Sequence, residues 1–248
     1  MARGEKQLSR IHLVRHGQAG SRHAYDALSA LGREQARLFG AFLASQPLEF
    51  AAAFTGTLAR QEQTAAEAKA EYESIGRPFP ALAVDCGWNE FDLPGIYEAL
   101  APQLCAADAA FRKEYEELMR QALQPQADVH RRWTSCDIRV VNTWIEGRYR
   151  YEGESWPAFR ERVLACQERL ERFGREENVL VFTSATPIGI WSAAAMDIAD
   201  ARALRLAGAL LNSSCSVIRI GSGTAPSIRL HSFNVASHLS RPELFTYR

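Results

Sequence analysis

The chain has 248 residues, 47% of them apolar, which is enough for one large α/β domain or a domain carrying an insertion. Lys and Arg number 29 and so do Asp and Glu, so no bulk charge draws in a polyanion; nucleic acid is not an expected partner, and any anion site is local. No apolar run approaches the ~20 residues of a membrane span, and residues 1–10 are charged and lack the apolar stretch of a signal peptide.

Residues 11–14 read as a buried strand that runs straight into Arg15-His16-Gly17. These residue types suit phosphate chemistry. A neutral imidazole keeps a lone pair near pH 7 and can attack phosphorus. A neighbouring arginine can hold phosphoryl oxygens by paired, charge-assisted hydrogen bonds. Glycine lets the chain turn and a ligand come close, and the carboxyl end of a strand is where open α/β sheets place their ligands. His16 is therefore the candidate nucleophile and Arg15 a candidate phosphate clamp. Gln18, next along, is grouped with the substrate-binding residues.

Residues 21–26 read as a polar loop. Ser29 is placed to cap a helix over about 30–44, with Leu31, Leu38, Phe39 and Phe42 at helical spacing. Residues 50–54 read as a second strand, Thr55-Gly56-Thr57 as a turn and cap, and 58–72 as a second helix. Pro78 and Pro80 lead into a third strand at 81–84. This alternation predicts an α/β fold with a mainly parallel central sheet and helices on both faces. From about 94 to 150 the pattern turns largely helical, and 107–124 reads as one charged amphipathic helix ended by Pro125. The sheet pattern then resumes, so this segment is read as an insertion in a single domain spanning 1–248. Ser155 is placed to cap a helix running to about Arg172. Residues 179–183 are the clearest strand, and Pro187 falls in the first turn of another helix. Residues 216–220 and 227–233 flank a Gly-rich stretch and read as a C-terminal hairpin.

Five scattered cysteines (Cys86, Cys105, Cys136, Cys166 and Cys215) form no C-x-x-C pair, which suits reduced thiols in a cytoplasm. The six histidines have no zinc-type spacing, and no metal or cofactor is expected. Gly221-x-Gly223 lacks the third glycine of a dinucleotide fingerprint, and there is no Walker A loop or G-x-S-x-G elbow.

Four segments stand in a telling order: Leu13 to Gly17, then Leu28-Ser29-x-x-Gly32-x-x-Gln35-Ala36, then Thr57-Leu58-Ala59-Arg60-x-x-Gln63-Thr64-Ala65, then Gly153-Glu154-Ser155. Together they resemble the histidine phosphatase superfamily, in its phosphoglycerate mutase-like branch, over most of the chain outside the tail and much of 94–150. The resemblance implies that His16 becomes a phosphohistidine while Arg15 and Arg60 clamp the phosphoryl group. Arg60 also lies in the first turn of a predicted helix, where backbone N–H groups favour anions. Glu90, in Gly87-Trp88-Asn89-Glu90-Phe91-Asp92, holds the place of the family's general acid, which protonates the leaving alcohol. Trp88 and Phe91 would raise its pKa by desolvation, and Asp92 is the alternative acid.

The chain also departs from that pattern. The family usually carries a second histidine after the late core strand; here Ser184 stands in its place, in Val181-Phe182-Thr183-Ser184-Ala185-Thr186-Pro187. Ser184 can donate one hydrogen bond but brings no positive charge, and losing one transition-state donor typically slows a reaction by ~10²–10³. Thr186 and the amides at this helix start offset part of that loss. His238, in a segment resembling the N-x-x-x-H-L ending of some bacterial members, either supports the site or is structural. The reading is a metal-free phosphatase for a small phosphorylated substrate; the alternative is a weak or inactive phospholigand-binding protein on the same scaffold. Arg131-Arg132-Trp133 and Arg148-Tyr149-Arg150 read as a pocket rim or a solvated face, and a homodimer is left open.

Overall fold

The apolar runs pair into one six-stranded sheet in the order β3-β2-β4-β1-β5-β6. The structure is a computed structural model and describes residues 9–21, 25–125, 127–130, 132–173, 176–199, 202–221 and 227–247. The strands are β1 (Ser9–Arg15), β2 (Phe50–Thr55), β3 (Leu82–Val84), β4 (Asn178–Thr183), β5 (Cys215–Gly221) and β6 (Ser227–Val235). The first four run parallel, β5 is antiparallel to β1, and β6 is antiparallel to β5. The expected mainly parallel sheet with a C-terminal strand pair is therefore present; residues 222–226 of the expected turn lie outside the described residues.

The helices are α1 (Ala30–Ser45), α2 (Ala59–Ser74), α3 (Leu93–Ala107), α4 (Ala109–Ala122), α5 (Ser135–Glu146), α6 (Trp156–Ala165), α7 (Gln167–Leu170), α8 (Ala185–Ala195) and α9 (Ala203–Ala209). They cover both faces of the sheet because alternate residues of a strand point to opposite sides. Val179 and Val181 of β4 join a large core with Trp88, Phe159 and Trp191. Leu180 and Phe182 face the other way, against Phe39, Leu43, Ala65 and Ala68 of α1 and α2. Among the described residues no helix is long and apolar enough to cross a membrane.

Three local expectations differ from what is found. The buried stripe of α1 is Gly32, Gln35, Ala36, Phe39, Gly40, Leu43 and Ala44, rotated away from Leu31, Leu38 and Phe42. Small residues win this face because α2 packs very close: a Cβ on Gly40 would lie 2.3 Å from the Ala68 carbonyl oxygen. Thr57 does not cap α2; Leu58 holds the cap position without a side-chain bond, and Thr57 instead exchanges two hydrogen bonds with Asn89. The expected 107–124 helix is α4, with bounds at Ala109–Ala122 because the Asp108 carboxylate accepts from Ala110 N and Phe111 N and so starts it. The expected helix from Ser155 divides at Cys166 into α6 and α7. Ser29 and Ser155 do cap their helices, accepting from Gly32 N and Ala158 N.

The turn after β1 is packed backbone against backbone. A Cβ on Gly17 would lie 2.3 Å from the Gly32 carbonyl oxygen, and one on Gly32 would lie 2.1 Å from that of Gln18. Gly32→Ala must push the turn and α1 apart, so we expect it to destabilise the protein by roughly 1–3 kcal/mol. A Cβ on Gly208 in α9 would meet nothing within 4 Å, so Gly208→Ala should instead stabilise by up to ~1 kcal/mol. Urea unfolding of both variants checks the contrast.

Candidate active site

His16 follows directly on β1, and its backbone is held from two sides. Its N–H donates to Thr183 O at the end of β4 (2.9 Å), and its carbonyl accepts from Ser213 N and from Asn212 Nδ2, each at 3.2 Å. The residue is only 2% exposed. Nδ1 lies 2.8 Å from Gly17 O. A carbonyl oxygen only accepts, so Nδ1 carries the proton and Nε2 the lone pair. Burial first, then the charges of Arg60 and Arg15, hold the ring well below the ordinary imidazole pKa of 6.5. The ring is therefore neutral at pH 7.

Arg60, in the first turn of α2, donates through Nε to His16 Nε2 at 3.3 Å. Its Nη1 pairs with Asp26 Oδ1 at 3.1 Å, and its guanidinium lies 5.0 Å above the Tyr25 ring. Tyr25 in turn sets its ring at 89° to that of His16. An oxyanion, the exposed Asp26 carboxylate, thus already sits on the arginine beside the ring.

Glu90 follows a 3₁₀ turn, Cys86–Trp88. Its Oε2 accepts from Thr186 N (3.1 Å) and its Oε1 from Phe91 N (3.2 Å). Desolvation raises its pKa, opposed by the Thr186 amide, the Arg60 charge, the Thr186 hydroxyl and the Phe91 amide. Thr186 belongs to the first turn of α8, and Ser184 is the cap residue of that helix. Arg15 and Thr183 are direct partners in the parallel register, so His16 and Ser184 stand side by side just past the paired strand ends. Ser184 is fully buried, and its Oγ accepts from Gln61 Nε2 at 2.8 Å.

The structure thus gathers His16, Arg60, Glu90, Ser184 and Thr186. Arg15 is placed differently: its guanidinium donates to Leu210 O and to Tyr247 O, and it acts on the ring through its charge. Gln18 serves the start of α1, where its Oε1 accepts from Ser29 Oγ. Asp92 caps α3 through Gly95 N. His238 bonds Ser213 Oγ at 2.8 Å and packs on Phe39, and burial lowers its pKa to about 4. It is linked to the site through Ser213, whose N–H holds the His16 carbonyl. Among the described residues no group of three or more His, Cys, Asp or Glu side chains is placed to hold a metal ion. Arg131 lies outside the described residues.

Several neighbours were not singled out from sequence: Tyr25, Asp26, Gln61, Asn89 and Arg162. Only the Gly153-Glu154-Ser155 segment carried a signal for the last. Glu154 takes Nε and Nη2 of Arg162 (2.7 and 2.9 Å), and Arg162 Nη1 donates to the carbonyls of Cys86, Gly87 and Asn89. That ion pair holds the loop that presents Glu90.

A family model for the histidine phosphatase superfamily (branch 1) matches residues 11–234. The chain is 24% identical over 157 residues to the serine/threonine-protein phosphatase Pgam5, mitochondrial, of Caenorhabditis elegans, across 59% of this chain and 52% of that protein. It therefore spans about half the length of the curated relatives it matches. Among solved structures it is similar to Bacillus stearothermophilus YhfR, with a TM-score of 0.60 and 18% identity over 93% of this chain and 98% of that one. A mycobacterial glucosyl-3-phosphoglycerate phosphatase solved with inorganic phosphate gives a TM-score of 0.57 at 20% identity, over 93% and 99%. Bacillus anthracis phosphoglycerate mutase gives 0.57 at 16%, over 94% and 96%. These likenesses show a shared fold.

His12, His16, His231 and His238 are all held below 6.5, first of all by burial. Each takes up a proton in the unfolded chain as pH falls below 6.5, while the folded chain does not, so the unfolded state binds more protons and stability falls with pH. Urea midpoints should decline from pH 7.5 to pH 5, and less steeply in His16→Gln, which removes one of the four groups.

Proposed function

The chain belongs to the histidine phosphatase superfamily, branch 1, and from that membership we propose that it hydrolyses a small phosphomonoester through a phosphohistidine on His16. One observation carries the reading: the Nδ1···Gly17 O contact leaves the Nε2 lone pair on a buried, neutral ring beside an arginine. An incoming phosphoryl group displaces the Asp26 carboxylate from Arg60 and draws the Arg60 N–H away from Nε2. Nε2 then attacks phosphorus while the ester P–O bond breaks, and Glu90 gives its proton to the departing alkoxide. In the second half Glu90, now a carboxylate, takes a proton from water, and the hydroxide attacks phosphorus. The P–N bond breaks, releasing inorganic phosphate and restoring His16.

Arg60, the Ser184 hydroxyl and the amides at the start of α8 face the charge that develops on the phosphoryl oxygens, and Arg15 adds its field from below. Because Ser184 is neutral, turnover is expected to be slower than with a charged donor in its place, by up to ~10²–10³. We also take α3–α5 to be an insertion within a single domain, with a role in substrate choice.

A second reading, a phospholigand-binding protein without turnover, draws on Ser184 and on Arg60 being already engaged by His16 and Asp26. Phosphate release from a panel of aryl and alkyl phosphates and phosphoserine or phosphothreonine peptides separates the two. Wild type should release phosphate and His16→Ala should not. Glu90→Gln should lose ~10²–10⁴ on alkyl phosphates and much less on aryl phosphates, whose leaving groups need little protonation. Turnover by His16→Ala at the wild-type rate contradicts the mechanism. Phosphate binding without any release by wild type favours the second reading.

A further inference from the structure

We infer that Gln61 is a positioning residue that orients Ser184 as a hydrogen-bond donor to the phosphoryl group; this rests on the proposed phosphoryl site at His16. Gln61 is fully buried in α2, one residue after Arg60. Its side-chain amide reaches two groups: Trp88 O at 3.1 Å and Ser184 Oγ at 2.8 Å. A carbonyl oxygen can only accept a hydrogen bond, so the end of the amide facing Trp88 has to be the NH₂. Its second hydrogen then falls to Ser184 Oγ. The serine oxygen is thereby made an acceptor, and its single hydrogen is left to give elsewhere.

That hydrogen has no other assigned use. Ser184 is the cap residue of α8 but makes no side-chain cap bond. Among the described residues its Oγ has Gln61 as its one hydrogen-bonding partner. A buried hydroxyl hydrogen without an acceptor is unfavourable, and residue 184 follows β4 as residue 16 follows β1 on the neighbouring strand. An oxyanion bound at His16 supplies the missing acceptor. The amide also takes up space: its nitrogen lies 2.8 Å from Oγ, where the ring of a larger side chain at 184 would extend. Gln61 and Ser184 therefore act as a pair, the glutamine filling and the serine donating.

The test is a double-mutant cycle read by vanadate affinity, which needs no turnover. Gln61→Met keeps the length of the side chain and removes its donors, and Trp88 O keeps the Thr183 hydroxyl as a partner (2.6 Å). Melting temperatures establish that each variant is folded. Ser184→Ala and Gln61→Met should each weaken vanadate binding by about tenfold, the scale of one hydrogen bond to a charged group. The double variant should be no weaker than Ser184→Ala alone, because Gln61 acts through the serine. Ser184→Thr, which keeps the hydroxyl, should stay near wild type. Where turnover is measurable, kcat should fall while KM changes little.

Wild-type vanadate affinity in either single variant, or losses that add in the double variant, would overturn the inference. The vanadate pattern with no phosphate release by wild type would leave the inference standing and sink the hydrolysis reading. Turnover lost in His16→Ala, without the vanadate pattern, would do the reverse.

Discussion

The bond from His16 Nδ1 to Gly17 O is the constraint on which the site depends. It forms only if the chain turns sharply after β1, and the turn is set by backbone contacts that leave no room for a side chain at Gly17 or Gly32. Thr183 O holds the His16 amide, and Ser213 and Asn212 hold its carbonyl, so the ring hangs from a backbone fixed by β4 and by the loop before β5. The C-terminal segment closes this arrangement from below. Thr246 binds Asn212, and the Tyr247 carbonyl takes a hydrogen bond from Arg15. Residues far apart in sequence thus fix which ring nitrogen is available to a ligand.

Desolvation acts on the two central ionisable groups in opposite directions. It lowers the pKa of His16, which favours the neutral base, and raises that of Glu90, which favours the protonated acid. Both shifts suit the roles proposed, and one physical cause supplies both. Arg60 works on each: its charge keeps the imidazole unprotonated and limits the rise at Glu90. Arg162 and Glu154 keep the Glu90 loop in register with α8, whose Thr186 amide grips the carboxylate. A neutral serine at position 184 suits this balance of charge, since two arginines already stand near the ring.

The sheet was readable because its strands are short apolar runs bounded by turn residues, and Ser29 and Ser155 announce their helices by capping chemistry. The start of α4 at Ala109 was legible only to within two residues, although its cause is local: Asp108, one residue past the expected start, caps the helix with its own carboxylate. The buried face of α1 is not legible in the sequence because close packing against α2 selects Gly and Ala over Leu. Around His16, the residues on strand ends and helix starts could be picked out by type and place. Gln61 could not, because a glutamine within a polar helix reads as solvated until β4 and the Trp88 loop are seen to enclose it. The partners of Arg15 were equally hidden, since Leu210 and Tyr247 are 195 and 232 positions away.

In the proposed mechanism Gly17 O, by holding the proton on Nδ1, makes Nε2 of His16 the phosphate acceptor. Nitrogen-15 labelling of the histidines, followed by phosphorus and nitrogen NMR of the adduct trapped at low temperature with an aryl phosphate, tests it directly. The expected product is a single phosphohistidine whose phosphorus couples to Nε2 of residue 16. An adduct on Nδ1, or on another histidine, would contradict it.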